Sequence, residues 1–65
     1  MNETQVLNHL LKKIAEERVS REAACSTGVA KDFAEYKNLC GVIQGLSLAE
    51  SIIKDLVQKL EHDDE

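Results

Sequence analysis

Proline and tryptophan are absent from this chain, and aromatic side chains are scarce. The 65 residues include one phenylalanine, one tyrosine and two cysteines. Because Phe33 and Tyr36 are the only aromatic residues of the sequence, it argues against a surface on which nucleic-acid bases stack. Cys25 and Cys40 lie far apart in the chain and form no CxxC pattern. The sequence therefore predicts two reduced thiols, and neither a zinc site nor a disulfide framework.

An excess of basic side chains is also missing. Twelve acidic residues stand against eight basic ones, which gives a formal net charge of −4. The two signs balance over residues 1–24 and again over 25–60, so the net charge lies in an acidic tail at 61–65. Binding to a nucleic-acid backbone needs a basic stripe that displaces counterions. We therefore expect no nucleic-acid partner.

Long apolar runs are missing as well. The longest uncharged stretch covers residues 38–49 and is too short to span a bilayer. The first residues, Met1 to Glu3, lack the basic and apolar regions that open a signal peptide. We expect neither a membrane span nor a targeting segment. A chain of 65 residues also forms one domain at most, with a thin core of its own.

The pattern that is present is helical. Asn2 and Gln5 resemble a capping box, and apolar residues then recur at steps of three and four. This periodicity predicts an amphipathic helix over about 3–24. Gly28 suits the positive φ of a turn, so we expect a loop over about 25–31.

A second helix is predicted over about 32–60, because Asp32 and Glu35 form another capping-box pattern. Its apolar residues step by three and four, and further apolar residues widen this stripe into a broad face. One short partner helix cannot cover such a face, so we expect the hairpin to form a homo-oligomer or to dock on a larger protein. The predicted partner-binding residues are Leu39, Val42, Ile43, Leu46, Ile53, Leu56, Val57 and Leu60.

Two glycines interrupt the second helix. Gly41 and Gly45 lie four residues apart on one face, and each costs about 1 kcal/mol relative to alanine in a helix interior. One interpretation is that the first helix approaches closely there. Phe33 and Tyr36 would then close the hairpin at its loop end, and these four residues form the predicted hairpin packing. The other interpretation is a break near Gly45, with a third helix starting at the capping-box pattern of Ser47–Glu50.

The residues give no pattern for catalysis. The chain has no glycine-rich phosphate loop and no HExxH or GxSxG sequence. We interpret His9 as a surface residue and His62 as part of a frayed acidic tail rather than a metal ligand. Two thin helices also cannot enclose a pocket that excludes water. We therefore predict a non-enzymatic protein with no catalytic residues, no cofactor and no metal.

One part of the chain resembles a known group of proteins. Residues 32–37 read Asp-Phe-Ala-Glu-Tyr-Lys, and residues 41–46 read Gly-Val-Ile-Gln-Gly-Leu. Over about residues 28–61, this pairing and the helix that follows it resemble very small helical proteins of tailed bacteriophages. Members of that group tend to accompany genes for head and portal components. The resemblance thus implies a virion or assembly role, in the virion or the host cytoplasm, and its motifs carry no catalytic residues.

The sequence thus predicts an all-α helical hairpin that acts as a structural or assembly component of a tailed phage. Its second helix would dock on other copies or on a larger virion protein. Two other functions stay open. One is a small acidic inhibitor or adaptor of a host protein, which would use the tail at 61–65. The other is a regulatory dimer of the antitoxin or anti-repressor kind.

Overall fold

The fold is a pair of long helices. The computed structural model describes residues 2–26, 28 and 31–62. They form two α-helices, α1 over Glu3–Ser26 and α2 over Phe33–His62. The two helices pack against each other as a hairpin. The all-α helical hairpin predicted from the sequence is therefore confirmed.

Each helix begins at a capping box. The backbone N–H of Gln5 donates to Oδ1 of Asn2 at 2.8 Å, and the N–H of Asn2 donates to Oε1 of Gln5 at 3.0 Å. Before α2, the N–H of Glu35 donates to Oδ1 of Asp32 at 2.8 Å, while the Glu35 carboxylate accepts from the N–H of Lys31 at 2.7 Å. These bonds satisfy backbone donors that have no partner within the helix. The capping boxes predicted at Asn2 and at Asp32 are confirmed as helix starts, although at the second the Glu35 carboxylate binds the N–H of Lys31 instead of that of Asp32.

The helices extend further than predicted. α1 continues to Ser26 instead of ending near residue 24, which shortens the expected loop over 25–31. Residues 27, 29 and 30 of that loop lie outside the described residues. Gly28 has a φ of +72°, as its place in the turn predicts. At the other end α2 reaches His62, so the acidic tail predicted from residue 61 starts as helix, and the prediction for 63–65 lies outside the described residues.

The second helix is continuous. It remains α-helical from Phe33 to His62, so the break near Gly45 and the third helix starting at Ser47 are wrong. Two glycines remove about 2 kcal/mol of helix propensity. Packing of an amphipathic face supplies most of the stability of a helix in a protein. Here half-buried residues lie on either side of Gly45, namely Ile43 before it and Leu46 after it. Tertiary packing therefore outweighs the local propensity.

The hairpin is long and thin. Its principal dimensions are 51 × 17 × 12 Å, and its radius of gyration is 15.1 Å. A compact chain of this length would have a radius of gyration of about 11 Å. The smallest dimension is the width of one helix, so the molecule is a single layer. Neither described helix combines the length and the apolar character that crossing a membrane requires.

Candidate interaction surface

The contact between the two helices is a regular stripe on each, which we call the hairpin seam. On α2 its seven members are spaced by three and four residues and are all half-buried or buried. Val57 is the buried apolar residue among those described, and Glu50 is the buried charged one. The hairpin seam consists of Leu39, Ile43, Leu46, Glu50, Ile53, Val57 and Leu60 on α2, and of Leu7, Leu11, Ile14 and Arg18 on α1.

This seam corrects the predicted partner-binding set. Six of its eight members, namely residues 39, 43, 46, 53, 57 and 60, belong to the hairpin seam and are at least half-buried within the chain. Val42 and Leu56 are the two that remain exposed, at 39% and 44%. The sequence could not separate these groups, because the apolar arc of α2 is wide enough to contain two neighbouring stripes. Only the position of α1 decides which stripe it covers.

Arg18 and Glu50 form an ion pair in the middle of the hairpin seam. The Arg18 Nε donates to one carboxylate oxygen of Glu50, and a terminal nitrogen of Arg18 lies 3.4 Å from the other oxygen. Arg18 also donates to Glu22, one turn further along α1. The hydrogen bond with Glu50 is the main cause that raises the pKa of Arg18, against the opposing effect of burial. This fork-like contact satisfies the charge of buried Glu50 with half-buried Arg18 and connects the two helices at one register.

Sequence analysis missed this ion pair, although its signal is present. Glu50 interrupts the apolar stripe of α2 between Leu46 and Ile53, and Arg18 continues the α1 stripe one turn after Ile14. A charged residue on a packed stripe needs a partner of opposite charge. One acidic and one basic interruption, each near the middle of its helix, predict that the two helices meet there.

Two thiols and a phenol lie together near the loop. Cys25 and Cys40 are both free and half-buried. Burial is the largest cause that raises the pKa of Cys25, followed by the charge of Cys40 and a hydrogen bond with it. A hydrogen bond with Cys40 is the largest cause that raises the pKa of Tyr36, which the charges of both cysteines also affect. The raised pKa keeps the Cys25 thiol neutral at neutral pH, so it is a weak nucleophile.

The predicted approach of α1 at Gly41 and Gly45 is wrong, and so is the predicted packing of Phe33. A Cβ added at Gly41 or Gly45 would meet no atom within 4 Å, so α1 does not approach closely at either residue. Phe33 does not close the hairpin either, because it is 71% exposed and carries the Lys37 ammonium 5.4 Å above its ring. Tyr36 is 47% exposed, and its hydroxyl interacts with the thiols of Cys40 and Cys25. The reason is register, since the hairpin seam passes to one side of both glycines.

A second stripe of α2 is exposed to solvent except at Ala49, which is half-buried, and we call it the outer stripe. Its members recur at steps of three and four, so they share one face of the helix. Ile52 is 59% exposed, and Leu48, which flanks the stripe, is 63% exposed. The outer stripe consists of Val42, Gly45, Ala49, Ile52 and Leu56.

The α2 surface around most of the outer stripe, over residues 38–53, carries no exposed charge, whereas Asp55 and Lys59 flank its end at Leu56. Between Lys37 and Lys54 the chain has one charged residue, Glu50, and that residue is buried against Arg18. The first helix is different, since exposed ion pairs such as that of Glu17 with Arg21 cover its surface. The hairpin therefore has one charged helix and one helix that is neutral towards solvent over about four turns.

An apolar groove continues the outer stripe towards the open end of the hairpin. It lies between the first turns of α1 and the last turns of α2 and has a volume of about 450 Å³. Val6 and Leu10 are the exposed apolar residues of α1 on this side. The groove is lined by Asn2, Glu3, Val6, Leu7, Leu56 and Leu60.

The exposed apolar surface of the described residues is a candidate for binding. Within residues 2–26, 28 and 31–62, no group of three or more His, Cys, Asp or Glu side chains is placed to hold a metal ion. Comparisons of the chain with protein-family models, with curated proteins and with solved structures return no match. The outer stripe and its groove are therefore the candidate functional site on physical grounds alone.

Proposed function

We propose that this hairpin is a non-enzymatic structural or assembly component of a tailed bacteriophage. It acts by docking the outer stripe on a helix of another protein subunit. The observation that supports docking is the uncharged, exposed face of α2. Contiguous apolar surface on a small protein marks an interaction site, and an amphipathic helix with anchors at three- and four-residue steps is a common way to fill one.

The phage assignment has a separate support. It depends on the sequence resemblance over about residues 28–61, which includes most of α2. In this proposal the residues shared with that group serve packing: Leu46 lies in the hairpin seam, whereas Gly45 lies in the outer stripe. Docking and phage origin are thus two parts of the proposal that separate experiments can test.

The experiment compares two variants inside the phage that encodes the chain. Ile52→Glu places a charge in the outer stripe, whereas Val19→Glu places one on α1 at a residue of similar exposure, 59% against 56%. Particles and assembly intermediates are purified, and the chain is quantified by mass spectrometry. We expect a fixed copy number for the wild type and for Val19→Glu, and at least a tenfold loss for Ile52→Glu.

Absence of the wild-type chain from both particles and assembly intermediates would contradict the proposal. Capture of a single host enzyme by a tagged copy early in infection would then favour the inhibitor hypothesis. Equal incorporation of the two variants would instead show that the outer stripe is not the docking surface.

A further inference from the structure

The isolated hairpin exposes more surface than a folded chain of its mass. The chain of 7.2 kDa has an accessible surface of 5053 Å². Folded monomers of this mass expose about 4,100 Å². The excess of roughly 900 Å² is close to the roughly 800 Å² that each partner buries in a standard protein interface. A single layer 12 Å thick therefore lacks the second layer that a domain core requires.

We infer that a second copy of this chain supplies that layer, with α2 packed antiparallel on α2 of the partner about a two-fold axis near Ala49. This inference rests on the proposed function, in that both assign docking to the outer stripe. It adds the identity of the occupant and its direction. The result is a bundle of four helices, in which the two neutral helices meet and the charged α1 helices keep their ion pairs in solvent.

The sizes of the side chains along the outer stripe favour this direction. With Ala49 at the centre, Val42 of one copy lies opposite Leu56 of the other, and Gly45 lies opposite Ile52. Each small residue thus faces a large one, which fills space evenly. A parallel pair would place Gly45 on itself and Ile52 on itself, with a void at one level and crowding at the other. The open space beside Gly45 is what a facing isoleucine needs.

Charge at the ends of the outer stripe favours the same direction. Asn38 precedes Val42 by four residues and Lys59 follows Leu56 by three, so both continue the outer stripe. In the antiparallel pair the Asn38 amide oxygen of one copy lies near the Lys59 ammonium of the other. In a parallel pair the two Lys59 ammonium groups would face each other and repel. Between these two ends, the five residues of the outer stripe are uncharged, so the charge of Lys59 is what distinguishes the two directions.

The apolar groove gives the pair a matching surface. Leu56 lines the groove at the open end of the hairpin. In the antiparallel arrangement, Val42 of the second copy lies over this end and enters the groove as a side-chain knob enters a hole. The two-fold axis repeats this contact at the opposite end of the pair, so both grooves are filled by the same residue of the other copy.

The first test is the mass of the full chain in solution, by sedimentation equilibrium. We expect the wild type and Val19→Glu at twice 7.2 kDa, and Ile52→Glu at 7.2 kDa. Circular dichroism of each variant shows whether it is still helical. A wild-type mass of 7.2 kDa up to millimolar concentration would overturn the inference, as would a dimer that Ile52→Glu leaves intact.

The second test uses disulfide trapping to read the direction of packing. In a chain with Cys25→Ser and Cys40→Ser, a single cysteine is introduced as Ala49→Cys or as Val42→Cys. A mild oxidant, copper phenanthroline, accepts the two electrons while the two thiols lose their protons. We expect covalent dimers from Ala49→Cys, since the two copies of this residue meet at the axis.

Val42→Cys is the matched control for direction. In the antiparallel pair its two copies are separated by about 21 Å along the axis, so they form no disulfide. Cross-linking of Val42→Cys, or failure of Ala49→Cys to cross-link, would overturn the antiparallel pair. The outcomes also separate the two proposals. A chain that dimerises but is absent from phage particles contradicts the phage role alone. A monomer that still needs Ile52 for incorporation contradicts the second copy alone.

Discussion

Glu50 lies in the hairpin seam between two apolar residues, Leu46 and Ile53, and its partner Arg18 follows Ile14 by one turn on the other helix. Each carboxylate oxygen of Glu50 has a guanidinium nitrogen as its neighbour. If one helix slid along the other by two turns, both charges would face apolar side chains and lose their partner, which is expensive in a desolvated contact. The ion pair therefore selects one register, whereas the leucine and isoleucine contacts around it would tolerate several.

Replacing Glu50 tests this role of the ion pair. Glu50→Gln keeps the size of the side chain but leaves the Arg18 charge without its buried partner, so we expect Tm to fall by several degrees. Glu22→Gln is the matched control, because it removes the other acidic partner of Arg18 at an exposed site. We expect it to change Tm by at most a degree or two. Equal shifts in thermal denaturation at one protein concentration would contradict this prediction.

The thiol cluster predicts a dependence of stability on alkaline pH. Because folding raises the pKa of Cys25 and of Tyr36, the folded chain holds these protons to higher pH than the unfolded chain. Their contribution to stability is therefore complete below the usual thiol pKa of about 8.5 and declines as the pH rises above it. Urea denaturation between neutral and alkaline pH measures the decline. We expect a shallower decline for Cys25→Ala, and an unchanged slope would contradict the assignment.

At the scale of the helices, the sequence predicted most of the architecture. Both capping boxes, the turn at Gly28 and the hairpin follow from local chemistry, since a side chain and a backbone donor three residues apart meet whatever the rest of the chain does. Which apolar stripe of α2 contacts α1 was not predictable in this way. Because the apolar arc of α2 is wide, α1 can pack on it at several angles, and one of these angles gives the hairpin seam through Ile43 and Leu46. For the same reason Gly45 was assigned to the wrong contact.

Two glycines in different settings, Gly41 in α2 and Gly28 in the turn, give opposite predictions. Gly41→Ala adds a methyl group where nothing lies within 4 Å, in a helix interior, so we expect stabilisation by about 0.5–1 kcal/mol. Gly28→Ala is the matched control of the same chemistry. It forces a Cβ into a left-handed conformation, and we expect destabilisation by about 1–2 kcal/mol. Chemical denaturation measures both, and a loss of stability in Gly41→Ala would show that a neighbour covers this residue.

At the scale of the whole molecule, the thin hairpin buries little apolar surface of its own. Val57 is the buried apolar residue among those described, so in the proposed pair most of the core would come from the second copy that covers α2. Binding that is specific to the folded state raises its apparent stability by mass action. We therefore expect the Tm of the wild type to rise with protein concentration, and that of Ile52→Glu to be constant. Differential scanning calorimetry over a wide concentration range measures this, and a constant wild-type Tm would contradict it.

The single short turn at Gly28 also determines the order in which the hairpin closes. Contacts along the seam are nested, from the thiol pair beside the turn, through Arg18 and Glu50 at a separation of 32 residues, to the groove between the two chain ends. The entropy lost on closing a loop grows with its length. Contacts between the two helices therefore form first beside the turn and then progressively towards the chain ends. Substitutions beside Cys25 should therefore slow folding, whereas those at the groove should mainly accelerate unfolding. The groove that would receive Val42 of the second copy in the proposed pair is then the last part of the hairpin to form.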